Sequence, residues 1–181
     1  MFKIKILLFI YSLIIFNHAF SESITANELF EKGLKKNKSY HYVDASVYFT
    51  QAIAKKYEFP EAYYQRGLSF QGMGEIKQAI KDYNQAINQG LKNVDVYLKL
   101  ISHYKNAEQF QSAILICQKL IQAMPENAAG AYYDMGKIYE KSGNIEWAIK
   151  SYEKSLLNTD DEFEEFKNQL QTKIESLKPI N

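Results

Sequence analysis

Tyr63-x-x-Arg66-Gly67-x-x-Phe70, then Gly74, then Ala79-x-x-x-Tyr83-x-x-Ala86 is the stretch on which the reading of this chain turns. Aromatic and small residues stand three and four apart, the spacing of one helix face, and Gly74-Glu75 divides the run into two helices. The stretch returns further along as Tyr132-x-x-Met135-Gly136-x-x-Tyr139, Gly143-Asn144 and Ala148-x-x-x-Tyr152-x-x-Ser155. Between the two, Tyr97-x-x-Leu100-Ile101-x-x-Tyr104, Ala113, Cys117, Leu120 and Pro125 keep the frame, with Ile101 in the glycine's place. Ahead of them, Leu29, Gly33, Ala45, Phe49 and Ala52 keep the small residues but put Lys36 at an aromatic position. Ala45, Ala79, Ala113 and Ala148 thus recur at a nearly constant interval. That interval is about 34 residues, the period of an array of helical hairpins, each burying a face against the next.

Four units in this register resemble the tetratricopeptide repeat. The resemblance implies an all-α, right-handed solenoid of about four helix–turn–helix repeats, at about 26–59, 60–93, 94–127 and 129–162. They make up an array over 22–162, and a C-terminal capping helix and tail follow over 163–181. The residues give this reading a physical basis. Gly33, Gly67 and Gly136 remove the side chain where two helices approach closely, which offsets the roughly 1 kcal/mol a helical glycine costs. Ala45, Ala79, Ala113 and Ala148 are small at the matching places on the second helices, while the larger Tyr, Phe, Leu and Ile residues fill the layer between hairpins. A tyrosine can bury its ring and keep its hydroxyl at a wet edge, which accounts for much of a content of 14. Thr25-Ala26-Asn27-Glu28 reads as a capping box with Ile24 and Leu29 as its staple, and Pro60 suits the first turn of a helix. From Phe163 onward, Phe166, Leu170, Ile174 and Leu177 form the apolar stripe of an amphipathic helix with a charged outer face, the solvating cap an open array end requires.

Residues 1–21, MFKIKILLFIYSLIIFNHAFS, have a different pattern. Lys3 and Lys5 give a positive start, Ile6 to Phe16 an apolar run, and Ala19-Phe20-Ser21 small residues at alternate positions, the layout of a secretory signal. Cleavage is expected after Ser21, with Ala19 as the alternative site. An uncleaved helix anchoring the chain is the other reading. The apolar run falls well short of the roughly 20 residues that a membrane span needs. No second long apolar stretch follows, so no membrane span is expected once the signal is removed. Export to the periplasm or the medium is the expected location.

Charge and motif content narrow the function. Lys plus Arg is 22 and Asp plus Glu is 21, a net charge of +1 with no basic stripe, so nucleic acid is not an expected partner. One cysteine, Cys117, allows no internal disulfide and no multi-thiolate metal site. It lies in the apolar run Ala113-Ile114-Leu115-Ile116-Cys117 and reads as core. His41 and His103 stand in separate repeats, far from metal-ligand spacing. Phosphate-loop, dinucleotide and nucleophile-elbow motifs are absent. The acids Asp160, Asp161, Glu162, Glu164 and Glu165 suit the positive end of the helix they precede. No catalysis, cofactor or metal is expected, and a hydrolase using scattered carboxylates ranks last.

The expected role is a non-catalytic protein–protein interaction scaffold of the bacterial cell envelope, with a secreted effector that binds a host protein as the alternative. A protein or peptide would dock on the inner face made by the first helix of each hairpin. The register puts Phe30, Leu34, Asn37 and Lys38 there from the first unit, and Tyr64, Leu68 and Gln71 from the second. Leu98, Ser102 and Lys105 follow from the third, then Tyr133, Lys137 and Glu140 from the fourth. Tyr64 and Tyr133 are the expected anchors. Relatives of the resembled family clamp a terminal carboxylate with Lys and Asn where this chain has Phe30 and Leu34, so that recognition is not expected. The array is expected to be a monomer.

Overall fold

The computed structural model describes residues 24–179. The expected signal segment and its cleavage site lie outside the described residues. The described chain is a run of helices: α1 (Ala26–Lys38), α2 (Tyr42–Lys55), α3 (Pro60–Gly72), α4 (Ile76–Asn88), α5 (Val94–Asn106), α6 (Phe110–Ala123), α7 (Ala128–Lys141), α8 (Ile145–Leu157) and α9 (Glu164–Leu177). Helices α1/α2, α3/α4, α5/α6 and α7/α8 pair as antiparallel hairpins, each packs on the next, and α9 packs on α8. No strand occurs among the described residues.

The N-terminal boundary forms as its residues dictate. Thr25 Oγ1 accepts from the Glu28 N–H at 3.1 Å, and Glu28 Oε2 accepts from the Thr25 N–H at 2.7 Å, so both halves of the capping box are made. Ile24 packs against the core cluster to which Leu29 belongs. Pro60 occupies the first turn of α3, where its missing N–H has no helical partner to lose.

All four hairpins turn the same way. The residue two beyond each first helix is left-handed: Tyr40 (φ 60°), Gly74 (77°), Glu108 (57°) and Gly143 (80°). The following N–H then closes back on the helix, from His41 to the Lys36 carbonyl, Glu75 to Phe70, Gln109 to Tyr104 and Asn144 to Tyr139, at 2.8–3.0 Å. This is the Schellman closure, which satisfies carbonyls the helix end leaves open. Glycine signals only two of the four turns. Tyr40 and Glu108 hold the same strained backbone with a side chain attached, at about 1–2 kcal/mol each.

The glycines do what their spacing implies. A Cβ on Gly33 would sit 2.5 Å from the Phe49 ring, one on Gly67 2.6 Å from Tyr83, and one on Gly136 2.5 Å from Tyr152 Cδ1. Each first helix therefore lies against an aromatic ring of its own second helix. In the third hairpin the two sizes are exchanged. Ile101 stands at the glycine position, and Cys117 stands where the others carry Phe49, Tyr83 and Tyr152. Both are buried. The isoleucine fills from one side the space a ring fills from the other, at the price of a wider helix pair: α5 and α6 approach less closely than the helices of the other hairpins. Cys117 is thus a core residue, and burial pushes its thiol pKa up to about 12.

Candidate protein-binding face

The first helices α1, α3, α5 and α7 line the array side by side, and the expected site residues form three rows across them. The first row is Phe30, Tyr64, Leu98 and Tyr133; the second is Leu34, Leu68, Ser102 and Lys137; the third is Asn37, Gln71, Lys105 and Glu140. The rows differ in what they have left to offer.

The third row largely bonds within the array. Asn37 donates to the Gln65 carbonyl at 3.1 Å and accepts from Ser69 Oγ at 2.8 Å, joining the first two hairpins. Gln71 Oε1 accepts from the Tyr83 hydroxyl at 2.7 Å and lies 3.3 Å from His103 Nε2 on the next hairpin. The His103 ring stacks on Tyr83 at 6.2 Å, and burial holds its pKa below the usual value. Glu140 accepts from the Tyr152 hydroxyl at 2.9 Å and from Lys173 of α9 at 2.6 Å. The Lys173 ammonium, then Tyr152, keep the Glu140 carboxyl below its ordinary range against the pull of burial. Lys105 is half-buried near Asp134, a carboxyl that burial pushes above its ordinary range.

The first row is partly closed. Tyr64, expected as an anchor, is buried, with its hydroxyl donating to Asp95 of the next hairpin and its ring 6.0 Å from Tyr83. Burial, then the Asp95 carboxylate, raises its pKa well above the usual phenol value. Phe30 is half-buried between Phe49 (5.6 Å) and Phe59 (4.8 Å). Tyr133 is half-buried against Tyr152 (5.8 Å) and Phe166 of α9 (5.6 Å). Leu98 is the open member, 43% exposed.

The second row remains the most available. Leu34 and Leu68 are half-buried, Ser102 and Lys137 are exposed, and the Lys137 ammonium lies 5.1 Å from the Tyr133 ring centre. Lys38, at the end of α1, is exposed as well. Where α7 meets α9, Tyr133, Lys137, Phe166 and Lys173 border a cleft of about 280 Å³. An apolar stripe flanked by ammonium and amide groups can hold an extended segment or a helix through a few apolar anchors. Sequence reasoning missed Asp95 and His103 as seam residues. Their signal was the 31- and 32-residue spacing to Tyr64 and Gln71, one repeat less the offset between adjacent first helices.

Among the described residues no group of three or more His, Cys, Asp or Glu side chains could hold a metal ion. Among them, too, no helix is long and apolar enough to cross a membrane.

Known proteins agree with this geometry. Residues 60–89 and 129–158 each match a tetratricopeptide repeat model. No curated protein matches the chain. A crystal structure of MamA is similar at 24% identity and TM-score 0.65, over 84% of this chain and 86% of that one. MamA 41-end from Desulfovibrio magneticus RS-1 is similar at 16% identity and TM-score 0.60, over 84% and 94%. At these identities the likeness is one of fold. The chain therefore carries two tetratricopeptide repeats inside a four-hairpin solenoid of the same build.

Proposed function

We propose that this protein is a non-catalytic interaction scaffold of the bacterial cell envelope, which holds a segment of a partner protein against the inner face of its first helices. The observation that carries the reading is the second row with Leu98. Leu34, Leu68 and Leu98 keep apolar surface open across three consecutive hairpins, beside exposed Ser102 and Lys137. The signal-like residues 1–21 motivate the location.

The structure also decides which substitutions can test it. Tyr64→Ala would unseat Asp95 and open the seam between two hairpins, so lost binding would not distinguish a missing anchor from a distorted array. Leu98→Asp with Lys137→Glu changes two exposed side chains and leaves the seams alone. The chain from Glu22 onward, tagged and crosslinked in envelope extracts, is expected to enrich a specific protein that the double variant loses while its helical circular dichroism is unchanged. Equal capture by both proteins would refute the inner-face reading. Fractionation separates the runner-up: an effector leaves with the medium, whereas an envelope component stays with the cells.

A further inference from the structure

On the opposite side of the array, the grooves between successive second helices hold three equivalent sets of residues. Between α2 and α4, Arg66 fills the groove, bonding Asp82 at 2.7 and 2.8 Å and Thr50 Oγ1 at 3.0 Å. Between α4 and α6, Leu100 and Ile116 occupy the positions of Arg66 and Asp82 and are buried. Between α6 and α8 the same positions carry Met135 and Ser151, and the Ser151 hydroxyl turns back to the Trp147 carbonyl at 2.7 Å. A serine where its equivalents are an ion-paired aspartate and an isoleucine leaves this groove unfilled. The result is a cleft of about 310 Å³ walled by Tyr132, Tyr139 and Trp147. Trp147 is 49% exposed, and Leu157 at the cleft's end is 84% exposed. Lys150 and Lys154 stand at the mouth with Glu153, their ammonium groups 4.9 and 5.4 Å from the Trp147 and Tyr132 ring centres. Lys150 pairs with Glu146, but Lys154 has no carboxylate within ion-pair distance among the described residues.

The chain itself presents the matching chemistry. Shortly past Leu157, Phe163 is 53% exposed between Asp161-Glu162 and Glu164-Glu165. We infer that Phe163 of one copy enters the Trp147 cleft of a second copy, with Glu162 and Glu164 beside it meeting Lys150 and Lys154, while Asp161 stays paired with Lys167 of its own chain at 2.6 Å. Donor and acceptor surfaces sit at the same end of the array, so one two-fold axis can make both contacts at once, the self-complementary arrangement of a symmetric dimer. The cation–aromatic contacts hold the two lysines over the rings, so an incoming ring and its carboxylates find apolar wall and positive rim together. This departs from the monomer expected from sequence, and it is independent of the inner-face reading.

Sedimentation of the chain from Glu22 onward, over a range of concentrations, is the test, with the fluorescence of Trp147, the sole tryptophan, as a local probe. The mass is expected to rise from one chain toward two as concentration increases, with a parallel change in Trp147 emission. Ser151→Ile, which imports the filling of the neighbouring groove, and Phe163→Ser should each weaken association at least about tenfold. Lys150→Glu with Lys154→Glu should fail to dimerise, as should Glu162→Lys with Glu164→Lys. Mixing those two proteins should restore the dimer, because each then offers the other opposite charges at both contacts. A constant single-chain mass at all concentrations would overturn the inference, even if a free peptide of residues 160–166 altered Trp147 emission. So would a dimer that survives both in the Lys150→Glu/Lys154→Glu variant and in the Glu162→Lys/Glu164→Lys variant, each made alone.

Discussion

Gly130 and Gly136 lie on the same helix, α7, and the structure gives their alanine substitutions opposite signs. Among the described residues nothing beyond the helix's own backbone and the chain neighbours lies within 4 Å of a Cβ on Gly130, so Gly130→Ala should show the bare gain of removing a helical glycine, about 0.5–1 kcal/mol. A Cβ on Gly136 would lie 2.5 Å from Tyr152 Cδ1, and ordinary contact begins at 3.4 Å, so the ring must retreat by most of an ångström. Tyr152 has little room to do so: it is 1% exposed, and Glu140 holds its hydroxyl at 2.9 Å. Overpacking of that kind costs up to about 3 kcal/mol. Set against a gain of at most about 1 kcal/mol, it leaves Gly136→Ala destabilising by about 2 kcal/mol. For a chain of this size that is a fall of about 4–8 °C in melting temperature. Arrays can unfold unit by unit, so Trp147 emission should be followed beside circular dichroism to report the fourth hairpin locally. The third hairpin supplies the decisive control, since it already carries an Ile101/Cys117 pair. Gly136→Ile and Tyr152→Cys should each destabilise strongly alone. Combined, they should cost about 2–3 kcal/mol less than the sum, a coupling at the upper end for residues in contact. Equal signs at Gly130 and Gly136, or an additive double variant, would refute the ring-on-glycine account of the seam.

Three further outcomes follow from named contacts. Glu108→Gly relieves a left-handed backbone at an exposed turn and should raise stability by about 0.5–1 kcal/mol in urea unfolding, while Gly143→Ala at the equivalent turn should lower it by a similar amount. Asp82→Ala leaves the Arg66 guanidinium, 17% exposed, without its carboxylate and should cost about 2–3 kcal/mol, at or below the low end for a fully buried pair. Glu140 has a depressed folded pKa, so its contribution is present above its unfolded value, near 4.5, and is lost as pH falls through the folded value. Below pH 4.5 the link to Lys173 should therefore weaken and the amides of α9 should exchange faster, and Glu140→Gln should remove that pH dependence.

How much of this was legible in the sequence depends on which physical signal each feature leaves. Helix pairing was legible because Ala45, Ala79, Ala113 and Ala148 fall at a near-constant interval, and only a repeated close approach of helices demands that. The turns were half legible. Gly74 and Gly143 announce a left-handed residue, but at Tyr40 and Glu108 the closing bonds to Lys36 and Tyr104 impose it on side chains that do not favour it. Ile101 read as a lapse from the pattern because the glycine was judged alone. Its meaning lies in Cys117 on the facing helix, and only the pair shows that volume was exchanged across one seam and not lost. Tyr64 marks where the sequence reading fell short. Its position in the register was right, yet position cannot say whether a phenol on a first helix faces solvent or an acceptor one repeat on, and Asp95 decides that here. The same logic orders the candidate site. A side chain with a polar partner on the next first helix, such as Asn37, Tyr64 or Gln71, or on the cap helix, as Glu140 has, closes a seam there. Leu34, Leu68 and Leu98 have no polar group with which to make such a bond, and with the exposed Ser102 and Lys137 they keep their surface for something outside the chain. A polar partner one helix on thus separates the residues that hold the solenoid together from those that can recognise a partner.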